Sequence, residues 1–345
     1  MHKKPAKQPM WIWFILFLSA LYFILSAIFI FMSSYTTYRC PGQYNTPSNW
    51  SLPERWRSED GTSRYPNLDP SSWQTPNYQL VRFPSRMPNV QISAWHTVIN
   101  ADAPSIIVVH GIRPNCKSVY ESLLVSGMLS NAGFNVLNID LQNYGESTRT
   151  SRFIAYGQRE YLDVLGAYDW LITQGQKPNK IGIAGLSLGA VTTAIAASKE
   201  SGIRAIWLDS PYADFNKMFC DELNSKYLPC LFSFGVRWLG QTFLGISPDA
   251  IKTTDVLNQK NTPAIYLTHG TADKRIPVSH AYTFIEKAKN QDQKISIWIV
   301  ENSDHLDAML EYPRLYQQKM VEFFTQALIV NTQKAQDLVT TVAPA

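Results

Sequence analysis

The sequence predicts an α/β protein: a mostly parallel, doubly wound sheet with a helical cap, preceded by a single N-terminal transmembrane helix. Three observations carry this. Short β-branched runs alternate with helical patterns from about residue 78 onward, the rhythm of a parallel sheet with crossover helices. Met10 to Met32 is one apolar and aromatic run, long enough to cross a hydrocarbon core of roughly 30 Å. Finally, Lys180-Ile-Gly-Ile-Ala-Gly-Leu-Ser187-Leu-Gly189 reads as a buried strand entering a sharp turn, with a helix of small residues following through Ala197.

Taken in order, residues 1–9 form a short tail carrying Lys3, Lys4 and Lys7, whereas only Arg39 follows the apolar run closely. The positive-inside bias therefore puts this tail in the cytoplasm and the rest of the chain outside, anchored through residues 10–32. A cleaved signal peptide is the alternative, but its apolar region is normally about 7–15 residues and ends in a small-x-small site, which this run lacks. Residues 33–76 are rich in Pro, Ser, Asn and Trp and read as a linker, either a stalk or a loosely packed wrap, with the tryptophans favouring docking. Export permits disulfides; Cys220 and Cys230 flank a short apolar segment and are the candidate pair among four cysteines.

The folded domain is expected over 77–330, with residues 331–345 as a tail. Tyr78–Pro84 and Val90–Ile99 alternate as an antiparallel pair. Ser105–Val109, Phe134–Asp140, Ile181–Ala184, Ile203–Asp209, Ala264–His269 and Ile295–Val300 are the buried strands. Helices are expected over Lys117–Asn131, Gln158–Gln174, about Ser279–Lys289 and about Asp307–Ala327. Between about 213 and 256 the rhythm stops and aromatic and aliphatic residues crowd together, which reads as a cap over the strand ends or as an ordinary excursion packed on the core.

The chemistry-bearing residues fall just past strand ends, where open α/β sheets bind ligands. Ser187 sits at the tip of Gly185-Leu-Ser-Leu-Gly189, where glycines two residues away on either side let strand and helix approach. Asp273, in His269-Gly-Thr-Ala-Asp273, is the candidate acid and His305 the candidate base. The chain order Ser, Asp, His is one of several that serve the same nucleophile–base–acid chemistry. Ser187 would attack once His305 takes its proton, with Asp273 orienting the imidazole. The backbone N–H of Leu188, at the start of a helix, is aimed where an oxyanion would form.

These motifs, together with His110-Gly111, Asp140 and Tyr144-Gly-Glu-Ser147, make residues 78–328 resemble the α/β-hydrolase superfamily of serine hydrolases, in particular its monoacylglycerol-lipase-like and serine aminopeptidase-like members. The resemblance implies an α/β-hydrolase fold, and it places the second oxyanion donor at the N–H of Ile112. The chain departs from the H-G-x-x-G form in reading His110-Gly-Ile-Arg113-Pro114, and Pro114 has no N–H to offer. Arg113 either reaches into the site, where its cation would favour a carboxylate-bearing substrate, or is a surface side chain. Asp209 is a conceivable substitute acid; Asp304, adjacent to His305, reads as a loop residue. His110 reads as structural, and His96 and His280 as surface or packing residues.

The expected function is membrane-anchored hydrolysis of carboxylic esters, a class that includes lipid-derived ones. A serine peptidase of aminopeptidase type is the alternative, and a non-catalytic exported binding protein the remaining one. No metal or cofactor is expected: H-E-x-x-H, G-x-x-x-x-G-K-[S/T] and G-x-G-x-x-G are all absent. The net charge of +4 and the lack of a basic stripe give no reason to expect nucleic acid.

Overall fold

The computed structural model describes residues 9–36, 40, 45–53, 63–112, 116–247, 252–259 and 262–330. The tails 1–8 and 331–345 lie outside the described residues. One eight-stranded sheet runs in the order β1 (Gln79–Pro84), β2 (Gln91–Thr97), β4 (Asn135–Ile139), β3 (Ser105–Val109), β5 (Ile181–Leu186), β6 (Ala205–Asp209), β7 (Ala264–Gly270), β8 (Ser296–Val300). β1 and β2 pair antiparallel, β2 joins β4 antiparallel, and every later pairing is parallel. The fold is therefore the α/β-hydrolase arrangement of a mostly parallel sheet.

Each central strand, β3 to β6, is buried along its whole length. That is why these segments read as predominantly apolar runs, broken only by Ser105, Asn135, Asn138 and Asp209, whereas β1 and β8 at the edges keep exposed positions. One core layer lies between the sheet and helices α3 (Tyr161–Thr173), α4 (Leu188–Lys199) and α7 (Ser279–Asn290). The other holds α2 (Tyr120–Asn131) and α9 (Pro313–Thr325) against the opposite face. β3 and β5 are neighbours although β4 comes between them in sequence, so the winding reverses there and a crevice opens at their carboxyl ends.

Several expectations need correction. The helix expected over 307–327 is broken into α8 (Ala308–Glu311) and α9, because Pro313 cannot continue a helix through Tyr312 but starts one well. The helix expected from Lys117 begins at Tyr120, because Lys117 is drawn into a buried polar cluster instead. Of the two readings of 33–76, it is the docked wrap and not the free stalk that holds where the segment is described, although residues 33 and 34 belong to the N-terminal helix. Trp50, Tyr65, Leu68 and Trp73 are buried in the α2/α9 layer. Trp73 donates to Gln317 at 3.3 Å, and Arg314 lies 4.7 Å from its ring centre.

The cap consists of α5 (Phe215–Ser225) and α6 (Phe232–Leu239), followed by a π-turn over Gly240–Leu244. Its expected end is too late: Thr253–Asn258 is a 3-10 turn whose Val256 and Leu257 are buried in the α4 layer. The N-terminal helix α1 (Met10–Ser34) has a mean hydropathy of 2.7 over its most apolar window. Its first half projects from the domain, but its second half packs on the cap, burying Ser26, Phe29, Ile30 and Ser34. Cys220 pairs with Cys230 inside the cap, and a second disulfide, Cys40–Cys116, ties the chain beyond α1 to the loop after β3.

Candidate active site

Ser187 occupies the turn from β5 into α4 with φ +55° and ψ −117°, a region a residue with a Cβ rarely enters. The surroundings enforce this conformation. A Cβ at Gly185 would overlap Gly189 O and Ala190 Cα, and one at Gly189 would overlap Val109 O and His110 O. The Ser187 N–H is fixed by Asp209 O at 2.8 Å, tying the turn to β6.

His305 lies on the loop after β8. Its Nε2 is 2.9 Å from Ser187 Oγ and its Nδ1 is 2.7 Å from Asp273 Oδ2. A carboxylate only accepts, so the Nδ1 proton faces Asp273 and Nε2 is left as acceptor for the serine hydroxyl. Asp273 sits on the loop after β7, and its other oxygen accepts the N–H groups of Arg275 and Ile276 at 2.9 and 2.7 Å. Burial by itself would raise the Asp273 carboxyl. Hydrogen bonds from His269 and His305, the nearby His305 charge and the Ile276 N–H outweigh it, holding the group well below the usual carboxylate range. His269 donates from Nε2 to Ile276 O at 2.7 Å and lies 3.3 Å from Asp273 Oδ2, so it braces the acid loop from beneath.

The two loops are also stapled to each other. Asp304 Oδ1 accepts the N–H of Lys274 at 3.0 Å and of His305 at 2.8 Å, and Ala272 N–H donates to Ser303 O at 3.0 Å. Asp304 is thus a loop residue, one that spans both loops. Asp209 binds Ser210 and Tyr316 at 2.9 and 2.8 Å and makes no hydrogen bond to His305 among the described residues. His110 is fully buried between Gly111 O (2.7 Å) and the Leu141 N–H (3.1 Å), a structural role. His280 is fully buried too and is no surface residue. Its Nδ1 accepts Ala213 N–H at 3.2 Å and its Nε2 is 3.2 Å from Asp221, locking α7 to the base of the cap. Burial and the Lys217 charge push its imidazole down to about 4, so it stays neutral.

Ile112 and Leu188 border the same cavity as Ser187. Leu188 opens α4, so its N–H belongs to the first turn, which a helix leaves without internal partners. Arg113 and Pro114 lie outside the described residues. The flanks of that stretch are held from both sides. Asp140 accepts the Lys117 N–H at 2.8 Å and the Glu146 N–H at 2.9 Å, and pairs with the Lys117 ammonium, which also reaches Glu146 at 2.7 Å. Gly145, at φ +48°, is glycine for a reason, since a Cβ there would overlap the Asp140 carboxylate. The Cys40–Cys116 disulfide closes the other side.

The cavity measures about 130 Å³. An apolar cavity of about 150 Å³ accommodates benzene, so the space suits a group of about six carbons. Its walls include Tyr156, Tyr212, Met218 and Phe219, with Glu222 and Arg275 at the polar side and Ser33, from the last turn of α1, completing it. Sequence reasoning missed Ser33, Tyr156, Tyr212 and Arg275. Only Phe219 stood among the cap aromatics, and no motif spacing marks the others.

Comparisons with known proteins agree with this architecture. Human protein ABHD12B is 24% identical over 231 residues, which cover 59% of this chain and 60% of that protein, so the chain spans well under two thirds of its length. A Pyrococcus furiosus esterase structure superposes with a TM-score of 0.60 at 21% identity, covering 85% of this chain and 99% of the other. A Pyrococcus horikoshii acylaminoacyl peptidase superposes with a TM-score of 0.58 at 18% identity, covering 73% of this chain and 42% of the other. At these identities the two structures speak for the fold alone. The prolyl oligopeptidase family, Peptidase_S9, matches residues 122–330, more than half of the sequence, and the chain belongs to that family of α/β-fold hydrolases.

Proposed function

We propose that the protein is a membrane-anchored serine hydrolase that cleaves carboxylic esters through an acyl-enzyme. The observation that carries this is the hydrogen-bonded line Ser187 Oγ, His305 Nε2, His305 Nδ1, Asp273 Oδ2, with separations of 2.9 and 2.7 Å. Ser187 attacks the ester carbonyl as its proton passes to Nε2. The oxyanion meets the N–H groups of Leu188 and Ile112, each donor supplying about 3 kcal/mol of transition-state stabilisation. The imidazolium, held by the ionised Asp273, protonates the leaving alcohol. Water, deprotonated by the same nitrogen, then releases the acid.

The apolar cavity walls favour an acyl group there, and the room for about six carbons favours short to medium chains over a charged peptide terminus. α1 would hold the domain at the membrane, with the tail 1–9 in the cytoplasm and the catalytic domain on the other side. Peptide hydrolysis is the second reading. The family match and the Glu222 carboxylate at the cavity, where a substrate amine would find a partner, favour it; the Lys226 ammonium 2.6 Å from Glu222 already fills that role and weighs against it.

A fluorophosphonate probe tests the chemistry: it should label the wild type and fail on Ser187→Ala, and labelling that survives the substitution refutes the nucleophile. Nitrophenyl hexanoate should then be cleaved faster than aminoacyl anilides, and the reverse preference would favour the peptidase.

A further inference from the structure

The cap and α1 are packed in a way that bears on how deep the protein sits in its membrane. α6 runs parallel to the second half of α1. Tyr22 stacks on Phe232 with ring centres 5.2 Å apart, Phe23 meets Trp238 at 5.5 Å, and Ile30 reaches Gly240. Close approach is permitted by Gly235, where a Cβ would overlap Ser26 Oγ. The Tyr22 hydroxyl donates to Leu231 O and accepts the Gly235 N–H, both at 2.9 Å, so the polar backbone at the start of α6 is satisfied by α1 itself.

Length then decides the depth. Residues 10–21, the part of α1 that projects clear of the cap, make only about 18 Å of helix. A hydrocarbon core of about 30 Å needs about twelve more ångströms, and these can come only from Tyr22 onward, the stretch α6 covers. Tilting α1 increases the requirement. The outward face of the cap fits such surroundings. Leu231, Phe234, Trp238 and Phe243 are 72%, 64%, 49% and 72% exposed. Three of them recur at helical spacing on one face, and Ile24, Ile28 and Phe31 of α1 are exposed as well. Lys226, at the tip of the α5–α6 turn, is paired with Glu222 at 2.6 Å.

We infer that the α5–α6 turn and the outer face of α6 are immersed, alongside α1, in the extracytoplasmic half of the bilayer, with lipid acyl chains as their partner. This rests on reading α1 as a membrane span. A second protein would have to cover the lipid-facing side of α1 as well, whereas acyl chains cover both surfaces at once. Since Ser33 of α1 lines the cavity, the cavity then opens at the level of the lipid headgroups.

The test uses the full chain in phosphatidylethanolamine/phosphatidylglycerol vesicles. All four cysteines are paired, so a nitroxide on Phe234→Cys of α6, or separately on Tyr227→Cys of the α5–α6 turn, is the only label. Leu16→Cys on the projecting half of α1 and Leu80→Cys on β1 are the references. Phe234→Cys and Tyr227→Cys should match Leu16→Cys: strong collision with oxygen, and several-fold weaker collision with a water-soluble nickel chelate than Leu80→Cys. If both cap labels meet nickel as Leu80→Cys does while Leu16→Cys is shielded, the bilayer thins around α1 and the inference falls, with the anchor intact. If Leu16→Cys is also aqueous, the membrane span falls with it.

Discussion

Replacing Asp140 by Asn tests whether the buried cluster behind β4 holds the loop that carries Ile112. Asp140 is fully buried and accepts the N–H groups of Lys117 and Glu146 as well as the Lys117 ammonium. Asn offers one acceptor oxygen where two are used, and its amide hydrogens would face donors. Lys117, 2% exposed, keeps its charge but loses the nearer carboxylate. Stranding one member of a buried ion pair costs about 3–5 kcal/mol. Glu146 remains at 2.7 Å, so the lower end, about 3 kcal/mol, applies. For a domain of this size that lowers Tm by about 6–12 °C. The loop from His110 to Lys117 loses its anchor, and misplacing the Ile112 N–H, the proposed oxyanion donor, should lower kcat on a nitrophenyl ester about a hundredfold, with KM nearly unchanged. Glu146→Gln is the comparison: that carboxylate is half exposed, and a pair of its kind contributes about 0–1 kcal/mol. Equal melting temperatures for the two variants would refute the clamp. A lowered Tm with wild-type kcat would leave Asp140 structural and sever it from the oxyanion loop.

Two further perturbations probe the fold around the site. Glu121 is buried on α2 with one carboxylate oxygen lacking a partner among the described residues, and burial pushes its carboxyl up to about 7. Its folded value lies above its unfolded one, so ionisation destabilises the protein as pH rises from about 4.5 through about 7. Glu121→Gln should accordingly be more stable than wild type by about 3 kcal/mol at pH 8 and equal to it at pH 4, measured by urea unfolding; a pH-independent difference would contradict the assignment. The Cys40–Cys116 disulfide joins residues 76 apart, a loop whose closure is worth about 4 kcal/mol, against about 3 kcal/mol for the ten-residue Cys220–Cys230 separation. Cys40→Ser with Cys116→Ser should thus lower Tm more than removal of the cap disulfide and, unlike it, should reduce kcat; the opposite order of Tm would count against the loop-closure account.

The parts of the molecule that could be read from sequence are those in which a local pattern has only one physical use. A strand buried on both faces is apolar at most positions, with any polar side chain, such as Asn135 or Asn138, hydrogen-bonded, so β3 to β6 announced themselves within a residue or two of their ends. The turn at Ser187 needs small residues on both sides of the serine, and Gly185 and Gly189 recorded that requirement. Asp273 and His305 were identifiable because each follows a strand, and strand ends in such a sheet converge on one edge.

What sequence did not yield are relations between segments that share no period. Lys117 stood within an expected helix and Asp140 at the end of a strand, 23 residues apart, and nothing in either pattern says that one neutralises the other. The Pro- and Trp-rich stretch before the domain has the composition of a linker because it forms few regular elements; its tryptophans pointed to docking, but no pattern said that Trp50 and Trp73 would be buried against α2 and α9. α1 shows the same limit most sharply. An all-apolar helix carries no amphipathic stripe to mark which side meets protein, since Phe29 against the cap and Phe31 on its outer surface are chemically alike. The small or polar interruptions Tyr22, Ser26 and Ser34 all face the domain, where Leu231, Gly235 and Tyr156 meet them. In a helix taken for a passive anchor, those interruptions were the trace of a packing surface. They place the last turn of α1 in the wall of the cavity that Ser187 faces, so the segment proposed to hold the protein at the membrane also shapes what reaches its serine.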